Sequence, residues 1–585
     1  MNHPSPRSEM ATAASGAATH PPAGDPCDRD LLHRLPVTAR TVLEMGCGTG
    51  ALGAAFKAIQ PDCLYVGVER SGAAASLAST RLDRLICWDD EAAALSLPEL
   101  PPLDVLVLGN APALPWDPRA LLSRQAKLLA EDGQLLAVLP NLQHCSLLEQ
   151  LLRGQTPPVP GDGGGAASLS WCFTREGIAS LIAASGLHLL ELHPRSLQRE
   201  QAEALVARLE PALAGLGLDR GALLAATAPQ QYLVRASRRP RPPLQLDAMT
   251  LRPQAGMVDV RMAQPLRAVA SLGAIGLRLR HDSMELLPPE SPLPRLLIWQ
   301  RPSLQPPEAH LQLRRLIRNG YVVVVEYDDD PAHWPAIAAT GHLVFTGVHA
   351  VQVSTEVLAA KIRRHNPEVA VFGNALDALP PPRPAADPAS PLRLFFGALN
   401  READWAPWID TLNATLLESP ERWQVEVVHD RAFFDALRLP ARRFTPTCDY
   451  ATYRRRLAGC DIAFLPLADT PFNRCKSDLK AVEASGHGLA VLASPVVYGD
   501  SLRQGETARF FSSSDELRQV LQEWQRDPAA ARAMGERARR WVASCRLQHH
   551  QAAARETWYR SLWERRAQLA EQLLRRVPEL ASSAD

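Results

Sequence analysis

At 585 residues the chain is too long for one compact domain and has length for roughly three to four. Its 63 Lys plus Arg balance 63 Asp plus Glu, which excludes the one-sided basic surface of a nucleic-acid or polyanion binder. A hydrophobic fraction of 46% and a charged fraction of 22% are those of an ordinary globular protein. No apolar run reaches the ~18–20 residues of a bilayer-spanning helix, so no integral membrane segment is expected.

The opening stretch, MNHPSPRSEMATAASG, lacks the apolar core of a leader peptide, and a cytoplasmic location is expected. Ten cysteines with no CxxC pair read as reduced, buried thiols rather than disulfides or a metal site. Residues 1–30 are rich in Pro, Ala, Gly and Ser and are expected as a disordered tail.

From Leu31 the pattern is that of an α/β domain. The stretch Val42–Gly53, VLEMGCGTGALG, has a short apolar strand, the acidic Glu44, and glycines at alternate positions, Gly46, Gly48 and Gly50, before a helix. Glycine supplies the positive φ of such a turn and lets a nucleotide-like ligand approach the backbone. Leu64–Val68 is a second strand ending at Glu69, about 20 residues past the glycines, where a carboxylate can accept both hydroxyls of a ribose. Leu85–Trp88 leads to Asp89. Leu103–Leu108 is a buried parallel strand followed by Gly109 and Asn110, and Leu135–Leu139 is another, closed by Pro140-Asn141. Strands alternating with helices predict a doubly wound parallel sheet.

With its G-x-G-x-G turn and four strand-end positions in order, the span Leu31–Arg235 resembles the class I S-adenosylmethionine-dependent methyltransferases. FTREGIASLIAASGLHLLEL (Phe173–Leu192) is similar to their closing helix and strand. The resemblance implies S-adenosyl-L-methionine as cofactor, held by Glu44, Gly46, Gly48, Gly50, Glu69, Asp89 and Asn110, with Asp89 on the adenine amino group. Many relatives carry Glu-His after the fourth strand; here the segment is Asn110-Ala111-Pro112-Ala113-Leu114. The base for methyl transfer is therefore unassigned, and His144, after the Pro-Asn turn, is the candidate. Residues 154–168 read as an insertion, lid or slack.

Residues 237–258, opening on the basic, Pro-rich ASRRPRPP, are expected as a linker. From Asp259 the α/β pattern restarts. VDVRM (258–262) reads as a strand, Leu296–Trp299 as another ending near Arg301, and Tyr321–Glu326 as a β-branched parallel strand running into Asp328-Asp329-Asp330. That acidic run reads as a cleft-facing turn or cap in preference to a metal site. Residues 378–391 are a Pro-rich linker. Leu392–Phe396 opens a third unit with Gly397 and Arg401, and Phe472–Pro495, FNRCKSDLKAVEASGHGLAVLASP, follows the strand expected at Ile462–Leu465.

Two such units facing one another, over about Asp259–Arg565, resemble the GT-B glycosyltransferases of the glycogen-synthase-like, retaining group. The string Lys476…Lys480…Glu483 with Gly488-Leu489-Ala490-Val491 is similar to their donor-site helix. The resemblance implies a nucleotide-sugar donor, whose departing diphosphate needs cations. Gly397, Arg401 and Lys476 are the candidates there, with Glu483 on the ribose. Where the family often has a second Glu eight residues earlier, this chain has Cys475. The last helix is expected to cross back onto the first unit of the pair, and Trp541, Trp558 and Trp563 read as packing residues.

The expected architecture is thus α/β: a Rossmann-like methyltransferase domain (31–236) followed by a GT-B pair of Rossmann-like domains (259–377 and 392–576), with a short tail at 577–585. The function it implies is bifunctional: glycosyl transfer to a glycan or glycoconjugate acceptor, with methyl transfer on the same product. Three alternatives stay open: a glycosyltransferase whose degenerate first domain is a binding module, a nicotinamide oxidoreductase first domain, or an assembly factor with both halves inactive.

Overall fold

The structure is a computed structural model that describes residues 27–70, 72–88, 99–109, 117–155, 172–252, 256–384, 387 and 390–581. Three parallel or mostly parallel sheets follow one another along the chain.

The first sheet contains β1 (Thr41–Met45), β2 (Leu64–Arg70), β3 (Arg84–Trp88), β4 (Leu103–Leu108), β5 (Leu129–Pro140), β6 (His188–Leu197) and β7 (Pro229–Ser237), in the order 3-2-1-4-5-7-6. β7 runs antiparallel to both its neighbours. The central strands bury both faces: Leu43, Val66, Leu106 and Leu135 enter one core, Val42, Tyr65, Val105 and Leu136 the other. That double burial is why these strands read as unbroken apolar runs. Order begins earlier than the expected Leu31: Asp28 caps helix Arg29–Leu32 and pairs with Arg195 at 2.9 Å. The insertion expected over 154–168 lies largely outside the described residues.

The second sheet contains β8 (Leu244–Met249), β9 (Ile275–Arg280), β10 (Arg295–Gln300), β11 (Val322–Tyr327), β12 (Ala350–Val353) and β13 (Val369–Val371), all parallel. Here two expectations fail. Leu244–Met249, read as linker, is an inner strand between β10 and β9, its Leu244, Leu246 and Ala248 buried at period two. The expected strand at 258–262 is instead a π-helical turn, Asp259–Ala263, running into helix Gln264–Ser271. Val258, Met262, Leu266 and Val269 share one core, a helical spacing that overlaps the two-residue alternation over so short a stretch.

The third sheet contains β14 (Leu392–Gly397), β15 (Trp423–Val428), β16 (Arg442–Thr445), β17 (Ile462–Leu465), β18 (Ala490–Ala493) and β19 (Ala508–Phe510), in the order 3-2-1-4-5-6 counted within the domain. Helices Ser514–Arg526 and Pro528–Cys545 pack on it through Leu517, Leu521, Trp524 and Met534. Helices His549–Glu564 and Arg566–Arg576 then return to the second sheet, where Tyr559, Leu562 and Leu569 enter one core and Leu573, Val577 and Leu580 the other. The residues after Arg576, expected as tail, therefore continue packing through Leu580. This pair of facing Rossmann-like units with an end helix crossing back is the GT-B arrangement.

The first domain is docked rather than tethered. Val37 and Ile59 meet Ala268, Leu272 and Ala552 in an apolar seam. Around it the backbone N–H of Val37 donates to Ser271 Oγ at 3.1 Å and Gln134 Nε2 to the Leu272 carbonyl at 2.7 Å. Gln60 Nε2 lies 3.2 Å from His549 Nδ1, and the N–H of Leu379, between the second and third sheets, donates to the carbonyl of Ala58 at 2.6 Å. Among the described residues no helix is long and apolar enough to cross a membrane.

Candidate active sites

In the first domain β1 and helix Ala51–Ile59 are joined by a turn in which Gly46, Gly48 and Gly50 have φ of 71°, 55° and 76°. A side chain at Gly48 would meet nothing within 4 Å, so the turn is an open cradle; one at Gly50 would press on Leu82 and Ala78 at 3.1–3.3 Å. Glu69, at the end of β2, reaches this turn: its Oε2 accepts the Gly48 N–H at 2.5 Å and its Oε1 accepts the Arg70 N–H at 2.9 Å. Glu44 is buried on β1 and accepts the Tyr65 hydroxyl at 2.9 Å. Burial pushes its carboxyl up to about 8, a shift the Tyr65 hydrogen bond partly opposes. The structure thus gathers Glu44, the three glycines and Glu69 at one end of β1 and β2. Asp89 and Asn110 lie outside the described residues.

His144 is placed differently. It precedes helix Cys145–Leu152, is buried, and its Nδ1 lies 2.7 Å from Ser146 Oγ. Burial holds its imidazole below the usual histidine range. The adjacent Asn141 ties its Nδ2 to the carbonyls of Ala226 and Pro229 at 2.8 and 2.7 Å, which fixes the Pro-Asn turn against β7.

The second and third sheets face each other across a cleft of about 330 Å³. On the third sheet's side it opens at Gly397, the last residue of β14. Lys480 and Glu483 come from helix Leu479–Gly486, three residues apart and so on one face. Glu483 is buried and accepts the Tyr450 hydroxyl at 2.7 Å. Burial raises its carboxyl above the usual range, while Lys480 and the hydroxyls of Tyr450 and Tyr453 pull it back down. The ammonium of Lys480 donates to the Gly397 carbonyl. Arg401 gives Nη1 to Asp404 and Asn473 at 3.0 and 2.7 Å. Its Nε and other amino group have no hydrogen-bond partner among the described residues.

On the second sheet's side Arg301 follows β10 with φ of 42° and pairs with Asp328 at 2.6 Å. Each aspartate of the expected acidic turn has its own cation: Asp328 has Arg301, Asp329 has Lys476 at 2.7 Å, and Asp330 has Lys361 at 2.8 Å. Among the described residues no group of three His, Cys, Asp or Glu could hold a metal ion. Arg261, absent from the sequence-based candidates, lies on the π-helical turn. It bonds Glu326 through Nε at 2.7 Å and Asn374 through Nη1 at 2.8 Å, and Asn374 Nδ2 reaches Ser477 Oγ at 2.6 Å. Tyr450 was missed too; its place in the FTPTCDYATY stretch carries no signal beyond an N-terminal helix position.

Residues 407–558, on the third domain and its return helix, match the family model described as "Glycosyl transferase-like". No curated protein matches the sequence. Among solved structures, the chain is similar to Anabaena HepE in complex with UDP and glucose, at 13% identity over 54% of this chain and 99% of that one, with a TM-score of 0.38. It is also similar to a mutant of S. aureus TarM in complex with Fondaparinux, alpha-GlcNAc-glycerol and UDP, at 7% identity over 45% of this chain and 55% of that one, TM-score 0.35. A third likeness is to the StiE O-MT, at 15% identity over 36% of this chain and 73% of that one, TM-score 0.24.

Proposed function

We propose that the chain is a glycosyltransferase that takes a nucleotide-sugar donor into the cleft and transfers the sugar to a glycan or glycoconjugate acceptor. One observation carries the reading. Arg401, Lys480 and the buried Glu483 line one cleft at the carboxyl end of β14, and Lys480 and Glu483 fall inside the stretch 407–558 that matches the glycosyl transferase-like model. A ligand crevice in an open α/β sheet lies at this point, where strand order reverses between β14 and β17. Glu483, oriented by Tyr450, offers its carboxylate to ribose hydroxyls. Arg401 and a lysine of the same cleft offset the charge that grows on a departing diphosphate.

Titration calorimetry of the full chain with UDP-, GDP-, ADP- and dTDP-sugars tests this. One donor is expected to bind at micromolar level and to weaken at least tenfold in Glu483→Ala. Binding of none would remove the reading.

A second activity is supported by the first domain. The open cradle at Gly48, the carboxylate of Glu69 on the glycine turn and the buried Glu44 suit S-adenosylmethionine, which supplies an electrophilic methyl group when bound. The chain's own residues there bind and orient; no base is assigned to any of them, His144 included. Methylation of a hydroxyl on the glycosylated product would make the protein bifunctional. Micromolar binding of S-adenosylmethionine or S-adenosylhomocysteine, lost in Glu69→Ala and absent with NAD, is the expected outcome. No binding of either would leave the first domain as a binding module for an active glycosyltransferase.

A further inference from the structure

We infer that Lys480 is the cation that meets the donor's diphosphate, and that Lys476 serves instead to hold the two cleft walls together. The inference rests on the glycosyl-transfer reading above and assigns a group within it.

Position comes first. The ammonium of Lys480 sits on the carbonyl of Gly397, the terminal residue of β14, at the switch point between β14 and β17. Gly397 admits no side chain, because a Cβ would come within 2.5 Å of Phe395 and 2.8 Å of Tyr453. Its backbone is thus packed against these rings and still lines the cleft. Lys480 stands directly over it, half-buried and lining the cavity.

The second ground is what Lys480 lacks. The Gly397 carbonyl is its one hydrogen-bond partner among the described residues; its remaining N–H donors have none. The Tyr453 ring lies 5.5 Å from its Nζ and Glu483 attracts it, but Arg401 repels it and burial holds its pKa below the ordinary lysine value. A desolvated ammonium with donors to spare gains most from an anion. Lys476 likewise has one hydrogen-bond partner among the described residues, but that partner is a carboxylate: it lies 2.7 Å from Asp329 Oδ1 and 4.3 Å from the Phe472 ring, so its charge is already paired.

In the transfer step the bond between the anomeric carbon and the β-phosphate oxygen breaks, and its electron pair stays on that oxygen. The acceptor hydroxyl oxygen bonds the anomeric carbon and gives its proton to the departing phosphate. Lys480 donates a hydrogen bond to the phosphate group that gains the charge.

The test compares the full-length wild type with Lys480→Met and Lys476→Met, titrated with UDP, GDP, ADP and dTDP and with the matching nucleosides. For the diphosphate that the wild type binds, Lys480→Met is expected to lose about 10–100-fold in affinity, the scale of a charged hydrogen bond. Nucleoside binding should stay within about threefold, and Lys476→Met should hold diphosphate affinity within the same margin. An unchanged Lys480→Met, or a loss in Lys476→Met alone, overturns the inference while leaving glycosyl transfer standing. Failure of the wild type to bind any of the four removes the glycosyl-transfer reading and the inference with it.

Should Lys480→Met melt far below the wild type, Lys480→Gln, which keeps a donor for the Gly397 carbonyl without the charge, takes its place in the same titrations. A folded Lys480→Gln that binds the diphosphate as tightly as wild type overturns the inference.

Discussion

Lys476 Nζ and Asp329 Oδ1 lie 2.7 Å apart, and with them the third domain is fastened to the second across the cleft. The pair is joined in linking the domains by Asn374, whose Nδ2 donates to Ser477 Oγ at 2.6 Å and whose carbonyl accepts from Arg546 at 3.1 and 2.9 Å, Arg546 being held in turn by Asp478. The side chains of Lys476 and Asp329 are 23% and 10% exposed, so this is a partly buried link between the walls and not a solvated surface pair. Asp329→Asn is expected to leave the fold intact, to raise amide exchange over residues 472–478, and to bind nucleoside diphosphate at least as tightly as wild type. A tenfold weakening would show that Asp329 itself serves the ligand.

Glu44 gives the first domain a pH dependence of definite sign. Its folded pKa of about 8 lies above the ordinary 4.5, so the folded state keeps a proton that the unfolded chain has lost. Stability is therefore full below about pH 4.5 and falls as pH rises towards 8, by at most about 1.4 kcal/mol per unit. Glu44→Gln removes this slope. It should melt with the wild type at pH 4.5 and several degrees above it at pH 8.5, by scanning calorimetry. If an ammonium-bearing cofactor binds beside Glu44 at pH 7, the wild type should release a proton that the variant does not.

Tyr450 sets the acid limit of the cleft. Its hydroxyl lowers the carboxyl pKa of Glu483 against the upward push of burial. Tyr450→Phe removes that support, so the carboxylate takes a proton at a higher pH. The acid limb of the pH profile for nucleotide binding is expected to shift upward, with affinity at pH 8 reduced less than tenfold. An unshifted limb would separate Glu483 from ribose recognition.

Ala552 tests the seam. It is 2% exposed, packed against Val37, Ala268 and Leu272 where the first and second domains meet. Ala552→Glu buries an unpaired carboxylate, at a cost of about 2–4 kcal/mol. Calorimetry should then resolve the first domain as a separate transition from the rest, where the wild type unfolds the two together.

Sequence legibility followed range along the chain. The glycine turn, Glu69, β11 and helix Leu479–Gly486 could be read because each is a local pattern: strand period, turn residues or helical spacing. β8 was lost because a short alternating run follows a basic, Pro-rich stretch, and nothing local says that its Asp247 is held inside by Arg278 and the Tyr321 hydroxyl. The turn Asp259–Ala263 was read as a strand because five residues satisfy both periods. Lys480 and Lys476 show the same limit within the cleft. Both stood out as cations, but their partners lie 83 and 147 residues away, and only folding reveals that one rests on a backbone carbonyl while the other holds an aspartate.

The bond from Leu379 to Ala58 has a mechanical consequence. Leu379 begins the crossing from the second sheet to the third, and Ala58 ends the helix that starts at the glycine turn. The pivot is thus bolted to the first domain, which the apolar seam also welds to the second. A cleft opening about this crossing would swing the third domain against the other two. The jaw that would carry the growing product keeps a constant span to the glycine turn, and the jaw that would carry the sugar donor comes and goes. On the bifunctional reading proposed above, delivery between the glycine turn and the cleft would be a matter of fixed reach set by the seam, and the length of the Pro-rich connectors would not govern it.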